Sequence, residues 1–175
     1  MKQDELCRRI REVAYLEGDF VLRSGKHSKY YLDKYRFETQ PAVLAELGRR
    51  LADHCTELTT HIAGAELGGV PLAAATSLAV GLPFLIVRNA KKDYGTANAI
   101  EGLVPDKGTA LLVEDIATTG GQVIQAARDL TARGITVEKI VAVLDRLEGA
   151  RQNVESAGFD YESLLTVEDL GIRKE

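Results

Sequence analysis

The sequence contains few cysteines, which cross-link small extracellular folds, and few histidines, which bind metals. Its two cysteines, Cys7 and Cys55, form no CxxC pair and no spaced framework, so neither a disulfide scaffold nor a thiolate zinc site is indicated. Its three histidines, His27, His54 and His61, show none of the spacings that metal sites use. A reducing compartment suits such a chain best, and we expect the protein in the cytoplasm.

The chain also lacks an excess of positive charge. Its 22 lysines and arginines against 26 aspartates and glutamates give a net charge of −4 and a pI near 5.5. Proteins that bind nucleic acid or anionic membranes non-specifically need a basic surface, so we expect neither partner. An anionic small molecule is still compatible, provided that a few local cations hold it.

Long apolar runs are absent once helix breakers are considered. The longest uncharged stretch, residues 70–87, is long enough to raise the question of a membrane span. Because Pro71, Gly81 and Pro83 interrupt it, it predicts instead a short buried helix, a turn and a core strand at residues 84–87. The charged first residues lead into an amphipathic pattern rather than an apolar signal region, and no export is predicted.

Short apolar strands alternate with helical segments through most of the chain. The pattern predicts strands at residues 62–63, 84–87, 110–113 and 139–144, and helices at residues 72–80 and 123–132. Such alternation is typical of α/β proteins, in which right-handed crossovers form a mainly parallel sheet flanked by helices. Ligands bind beyond the carboxyl ends of these strands. With 175 residues and 45% hydrophobic content, we expect a single domain over residues 1–175.

Two parts of the chain do not follow this alternation. Residues 1–40 predict an amphipathic helix at 4–15 and extended pieces at 20–22 and 29–35, before Pro41 starts a second helix that runs to residue 52. Residues 89–107 are polar, non-periodic and longer than ordinary connections, which favours a mobile functional loop over simple filler.

The most informative segment is residues 110–122, in which four apolar strand residues lead into two carboxylates and then a Thr-Thr-Gly-Gly turn that opens a helix. Such a turn presents free backbone N–H groups and the positive end of the helix dipole to an anion. Gly120 and Gly121 allow the backbone to approach a phosphate, and the Thr118 and Thr119 hydroxyls can donate hydrogen bonds to it. The turn is neither a Walker A loop nor a GxGxxG dinucleotide site. It therefore predicts a phosphate site of another kind.

Glu114 and Asp115 stand directly before this predicted phosphate site. Two carboxylates repel a phosphate unless another part of the ligand lies between them, and ribose hydroxyls would fill that place by donating hydrogen bonds. The negative charge would also stabilise positive charge at an anomeric carbon. The alternative is a strand that ends in solvated acids, followed by an ordinary glycine turn.

Residues 113–121, Val-Glu-Asp-Ile-Ala-Thr-Thr-Gly-Gly, resemble the motif with which type I phosphoribosyltransferases bind phosphoribosyl pyrophosphate (PRPP). The resemblance implies the α/β fold of that family, with Glu114 and Asp115 on the ribose and the following loop on the 5-phosphate. The loop residues that it implies in PRPP binding are Ile116, Ala117, Thr118, Thr119, Gly120, Gly121 and Gln122.

Three further segments resemble the orotate phosphoribosyltransferases within this family. Residues 20–33 are similar to their N-terminal signature, which implies that residues 1–40 contribute a hood over the base. Residues 88–96 with Glu101-Gly102 are similar to their catalytic loop, and residues 144–149 to their Asp-Arg segment. The resemblance implies transfer of the phosphoribosyl group from PRPP to orotate in UMP biosynthesis. It also implies Mg²⁺ bound mainly through PRPP, without a dedicated protein cage.

The loop segment suggests how pyrophosphate leaves. Arg88, Lys91 and Lys92 could meet the negative charge of the departing group, and closure of the loop would exclude water. By resemblance Lys92 is catalytic and reaches into a neighbouring subunit's site, which implies a homodimer. A solvated basic loop is the alternative. Resemblance adds Leu67, Gly68, Arg88, Asn89, Lys92 and Tyr94 to the PRPP site, although Leu67, Gly68, Asn89 and Tyr94 depart from residues common in the family.

Arg146 follows an apolar strand, where its guanidinium could bind the carboxylate of orotate. An ion pair with Asp145 or Glu148 is the alternative. By resemblance the base site also includes Arg23, which faces both substrates, together with Tyr31 and Thr118; Tyr31 is equally explained as a core aromatic.

Two other functions share the predicted phosphate site. A purine-salvage phosphoribosyltransferase would have a different hood over the base. A PRPP-sensing regulator without chemistry would usually carry a DNA-binding element, and the residues before His61 contain no basic recognition helix.

Overall fold

The computed structural model describes residues 1–21, 25, 27–89 and 99–172. These residues form helices around a six-stranded sheet, with a separate two-stranded hairpin. In chain order the elements are α1 (Gln3–Ala14), β1 (Tyr15–Val21), β2 (His27–Leu32), α2 (Lys34–Glu38), α3 (Pro41–Ala52), β3 (His61–Ala65), α4 (Gly69–Val80), β4 (Phe84–Val87), β5 (Ile100–Glu101), β6 (Gly108–Ala117), α5 (Gly121–Ala132), β7 (Ile135–Asp145), α6 (Ala150–Ser156) and β8 (Tyr161–Thr166).

The main sheet has the strand order β5-β4-β3-β6-β7-β8. All neighbouring pairs are parallel except β4 with β5, so the predicted mainly parallel sheet is confirmed. From β3 the chain runs outward to β4 and then returns past β3 to β6. The connections after β3 and β6 therefore diverge and leave a crevice at the carboxyl ends of these two strands, where ligands of open α/β sheets bind.

The sheet is buried on both faces, which explains why its central strands read as continuous apolar runs. On β6, Leu111 and Val113 pack with α1, α3 and α4, whereas Leu112 faces the opposite core with Leu130 of α5 and Val154 of α6. Full burial of each such side chain stabilises the fold by roughly 1.5–3 kcal/mol. The two cores hold the loops of β3 and β6 in fixed positions.

The hairpin segment differs from the prediction. The first helix ends at Ala14, and Tyr15 begins β1 instead of closing the helix. The second extended piece ends at Leu32, because the chain turns into the short helix α2, which the sequence pattern did not predict. Burial of Phe37, which is 0% exposed, stabilises this helix through a tertiary contact that local periodicity does not reveal. As a result Lys34 leaves the strand and points into the main domain.

The region of residues 89–107 also differs from the prediction. Ile100 pairs with Val87 and Glu101 with Ile86, so the segment contains a short antiparallel strand, β5. The backbone N–H of Arg88 donates to the carbonyl of Ala99 at 2.8 Å and extends this pairing by one residue. Residues 90–98, the centre of the predicted catalytic loop, lie outside the described residues.

Two C-terminal elements, α6 and β8, were also not predicted. β8 adds a parallel edge strand beside β7. No helix formed by the described residues is both long and apolar enough to cross a membrane.

Candidate active site

The predicted phosphate loop lies between β6 and α5, at the crevice. Gly120 precedes the helix with φ +79°, a conformation that favours glycine, and a Cβ there would come within 3.0 Å of the Val154 side chain. No side chain caps α5, so the N–H groups of its first turn are available to an anion. The side chain of Asn153 donates to the Thr119 carbonyl at 2.9 Å and fixes the loop from behind. A pocket of about 230 Å³ opens here, lined by residues 116–123 and Glu114.

Glu114 lines this pocket and Asp115 follows it in the chain; the two acids are 7% and 1% exposed. Asp115 accepts the backbone N–H of Ile116 with Oδ1, and its Oδ2 lies 2.6 Å from the ammonium of Lys34. Burial, followed by the charge of Asp115, raises the pKa of Glu114 well above its ordinary value. Burial lowers the pKa of Lys34, but the charge and hydrogen bond of Asp115 outweigh this effect and raise it overall. The pair therefore combines a carboxylate held by a lysine, Asp115, with a neighbouring acid, Glu114, whose ionised form burial disfavours.

A third acid, Glu38 of α2, lies beside this pair. It is 1% exposed, and neither of its carboxyl oxygens has a hydrogen-bond partner among the described residues. Burial, and then the charge of Asp115, raises the pKa of Glu38 to about 8. Glu38 is therefore neutral near pH 7, and the excess negative charge of three clustered carboxyl groups does not develop.

The turn after β3 contains Leu67 and Gly68, which were predicted to contact PRPP. Leu67 is 61% exposed, whereas a Cβ on Gly68 would lie 1.6 Å from Asp115 Oδ2. Only glycine therefore allows the turn and the carboxylate to lie this close together. The peptide bond between Glu66 and Leu67 is cis. Leu67 and Gly68 offer backbone groups rather than charged side chains to a ligand.

A hydrogen-bond network joins this turn to the start of the predicted catalytic loop. The Asn89 amide donates to the Glu66 carbonyl at 2.9 Å, and the Asn89 backbone N–H donates to the Glu66 carboxylate at 3.0 Å. Gln122 of α5 donates to the same Glu66 carbonyl at 2.9 Å and to Asn89 Oδ1 at 2.8 Å. Arg88 lies 3.5 Å from the Glu66 carboxylate. The turn after β3, the segment after β4 and the start of α5 are thus connected through Glu66, beside a pocket of about 450 Å³.

Arg146 lies after β7, on the side of the crevice that faces the hairpin. Its Nε is 2.9 Å from Glu148 Oε1, so the ion pair considered as the alternative is present. Its guanidinium also lies over the Tyr30 ring, 5.7 Å from the centroid. The other candidate partner, Asp145, instead accepts hydrogen bonds from the Tyr161 hydroxyl at 3.0 Å and from the Leu147 N–H at 2.7 Å.

Comparison with known proteins places this site in a family. A phosphoribosyl transferase domain model matches residues 36–159. The orotate phosphoribosyltransferase of Methanocaldococcus jannaschii is 39% identical over 170 residues, 97% of each chain, and that of Halobacterium salinarum is 44% identical over 168 residues, 95% of each chain. The chain belongs to the orotate phosphoribosyltransferase family. The crystal structure of the Mycobacterium tuberculosis enzyme in complex with PRPP has a TM-score of 0.79 and 29% identity, covering 97% of this chain and 99% of that chain.

Because the chain belongs to the orotate phosphoribosyltransferase family, the predicted site residues are expected to lie around one substrate site. The structure brings together the phosphate loop, the acid pair, the Gly68 turn, Arg88 and Asn89 at one crevice. Tyr31 is 44% exposed and packs against Phe20, with ring centroids 5.6 Å apart. Arg23, Lys91, Lys92 and Tyr94 lie outside the described residues.

Three residues near this family site were missed by sequence reasoning. Tyr30 contacts Arg146, and Lys34 and Glu38 cluster with Asp115. Alternation along β2 separates Tyr30 from Tyr31, because neighbouring side chains point to opposite faces of a strand. The alternation of side chains along β2 could be predicted from the sequence. Which face of the strand contacts Arg146 could not, because it depends on tertiary packing. Nothing local in the sequence indicates the contact between Lys34 and Asp115.

Proposed function

We propose that the protein transfers the 5-phosphoribosyl group of PRPP to orotate, giving orotidine 5′-phosphate and pyrophosphate in UMP biosynthesis. The observation that carries this proposal is the uncapped N-terminus of α5 directly beside the buried pair Glu114 and Asp115. A phosphate and a ribose fit these two environments side by side. The names of the family relatives support orotate as the base.

On the PRPP side, the 5-phosphate would bind the backbone N–H groups of the loop and the hydroxyls of Thr118 and Thr119. Ribose hydroxyls would donate to Asp115, and the Glu114 carboxyl group offers further acceptor oxygens. The charge of Asp115 would stabilise positive charge at the anomeric carbon as the bond to pyrophosphate breaks. The PRPP contacts proposed on this loop are Ile116, Ala117, Thr118, Thr119, Gly120, Gly121 and Gln122.

The leaving pyrophosphate would lie between the Gly68 turn and the start of the catalytic loop. Leu67 and Gly68 would contribute backbone N–H groups, and Arg88 would leave Glu66 for the more highly charged ligand. Lys92 and Tyr94 are proposed contacts from the loop itself. Because the amide of Asn89 already bonds to Glu66 and Gln122, its proposed contribution is to hold this part of the site in position.

Orotate would bind near Arg146, whose guanidinium can form two parallel hydrogen bonds with a carboxylate. The carboxylate of orotate would replace Glu148 as its partner. Arg23 and Tyr31 of the hairpin segment, together with Thr118, are the other proposed contacts with the base. N1 of orotate would then attack C1 of the ribose as pyrophosphate departs, and positioning would supply much of the catalysis.

Mg²⁺ is proposed as the cofactor, bound mainly through PRPP. Among the described residues no cluster of three or more His, Cys, Asp and Glu side chains could hold a metal ion. Mg²⁺ often binds through one or two carboxylates, substrate phosphates and water, and Asp115 beside the phosphate loop would supply such a carboxylate. When bound, the ion supplies positive charge to the leaving diphosphate.

We further propose a homodimer in which residues 89–107 of one subunit reach the site of the other, and a cytoplasmic location. The location agrees with Cys7 and Cys55, both of which are free thiols.

The decisive experiment is a base-specificity assay with purified protein, PRPP and Mg²⁺. Loss of the ultraviolet absorbance of orotate, with formation of orotidine 5′-phosphate, is expected. Efficient use of adenine or hypoxanthine instead would show a purine-salvage enzyme, and PRPP binding without turnover of any base would show a regulator.

Lys92→Ala should lower turnover far more than PRPP affinity, whereas unchanged turnover would refute its catalytic role.

A further inference from the structure

Lys34, a residue outside the predicted site, has its ammonium on the central carboxylate of that site. Nζ of Lys34 lies 2.6 Å from Asp115 Oδ2, and the two side chains are 30% and 2% exposed. The lysine therefore covers the solvent side of a buried acid. Among the described residues no other cation is paired with Asp115.

The position of this ammonium relative to the turn after β3 is the second observation. The Asp115 oxygen that binds Lys34 is the same atom that a Cβ on Gly68 would meet at 1.6 Å. The ammonium thus lies where the ribose acids and the Gly68 turn come together. In PRPP the anomeric carbon and its diphosphate adjoin the ribose hydroxyls, so a cation at this junction is within reach of the diphosphate.

Lys34 has limited freedom to leave Asp115. A buried carboxylate that loses its only charged partner is strongly destabilised. Ribose hydroxyls can replace the ammonium, because each donates a hydrogen bond to the carboxylate. Glu38 and Glu114 are both buried, and Lys34 forms an ion pair with neither of them. The strongest alternative anion for Lys34 is therefore the diphosphate of the incoming substrate.

We propose that Lys34 is a further substrate-binding residue, which holds Asp115 in the free protein and transfers its ammonium to the diphosphate of PRPP when ribose hydroxyls occupy Asp115. The proposal rests on the PRPP-dependent function above. Lys34 then has two successive partners, Asp115 in the free protein and the diphosphate in the complex. Asp115 is therefore never left as an unpaired buried charge. A lysine with a purely structural role would keep Asp115 as its only partner.

Calorimetric binding of two ligands separates these roles, because ribose 5-phosphate has the hydroxyls of PRPP but no diphosphate. Lys34→Met should raise the Kd of PRPP by about tenfold to a hundredfold and that of ribose 5-phosphate by no more than about threefold. Lys34→Arg should restore most of the PRPP affinity. The matched control is Arg133→Met, which removes an exposed cation at the carboxyl end of α5, away from the phosphate loop at the other end of that helix, and it should change neither Kd.

Equal weakening of both ligands by Lys34→Met would overturn the proposal in favour of a structural role, as would PRPP affinity that does not change. If Lys34→Met does not fold, Lys34→Gln keeps a hydrogen-bond donor for Asp115 without the charge, and the same selective loss of PRPP is expected. Orotate turnover by the unmodified protein is measured first. Its absence would reject the proposed function, whereas normal turnover with equal ligand weakening rejects only the role of Lys34.

Discussion

Replacing Glu38 with glutamine should change how the stability of the protein depends on pH. Burial raises the pKa of Glu38 from 4.5 to about 8, so the folded protein retains a proton that the unfolded chain loses. Stability from this group is fully present below pH 4.5 and is lost as the pH rises through about 8. Glutamine resembles the protonated acid in shape and cannot ionise, so Glu38→Gln should remove this loss.

A tenfold change in proton affinity corresponds to about 1.4 kcal/mol, so the full shift is worth at most about 5 kcal/mol. Local rearrangement that hydrates the carboxylate reduces this value, and we expect Glu38→Gln to gain roughly 2–3 kcal/mol over the original protein between pH 5 and pH 9. Urea unfolding of both proteins at five pH values gives the difference between their free energies of unfolding as a function of pH. The contributions of other titrating groups cancel in this difference. For Glu57→Gln, at an exposed site, the difference in free energy of unfolding from the original protein should not change with pH. A flat curve for Glu38→Gln as well would refute the reasoning.

Changes at the loops should affect the two substrates separately. Gly120→Ala forces a side chain into a left-handed conformation and towards Val154, and steady-state kinetics should show a higher KM for PRPP with stability lowered by about 1–2 kcal/mol. Asn89→Leu and Gln122→Leu each break the network at Glu66; each should lower kcat/KM about tenfold, and a double variant that loses no more than either single one identifies a shared role. Arg146→Lys loses the planar fork and should raise the KM for orotate while that for PRPP is unchanged; an equal rise in both would exclude a specific contact with the base.

The phosphate loop could be predicted because its chemistry is local. The carboxylates, the small hydroxyl residues and the glycines that form it follow one another directly, and a strand that runs into a helix N-terminus is visible in the hydrophobic pattern. The parallel sheet was predictable for a similar reason, since strands buried on both faces are continuous apolar runs.

The acid cluster could not be predicted because it is assembled by tertiary contacts. Lys34 reaches Asp115 only because the chain leaves β2 at Leu32 and turns into a helix anchored by Phe37, and the extended pattern of residues 29–35 pointed to a longer strand. From the sequence, Gly68 appeared only to lack a side chain that could contact PRPP. In the structure, Asp115 occupies the space that a side chain at this position would need. The contacts of Asn89 could not be predicted either, since its partners come from the turn after β3 and from α5.

The backbone hydrogen bond between Arg88 and Ala99 has a consequence for the evolution of the segment between them. Because the pairing of β4 with β5 already brings the ends of this segment together, most of the entropy of loop closure is lost when the sheet forms. The closure entropy of a chain segment grows slowly with length, by about 0.6 kcal/mol for each doubling. Insertions and substitutions between residues 88 and 99 should therefore change substrate turnover with little effect on folding, which leaves this segment free to adapt to the reaction.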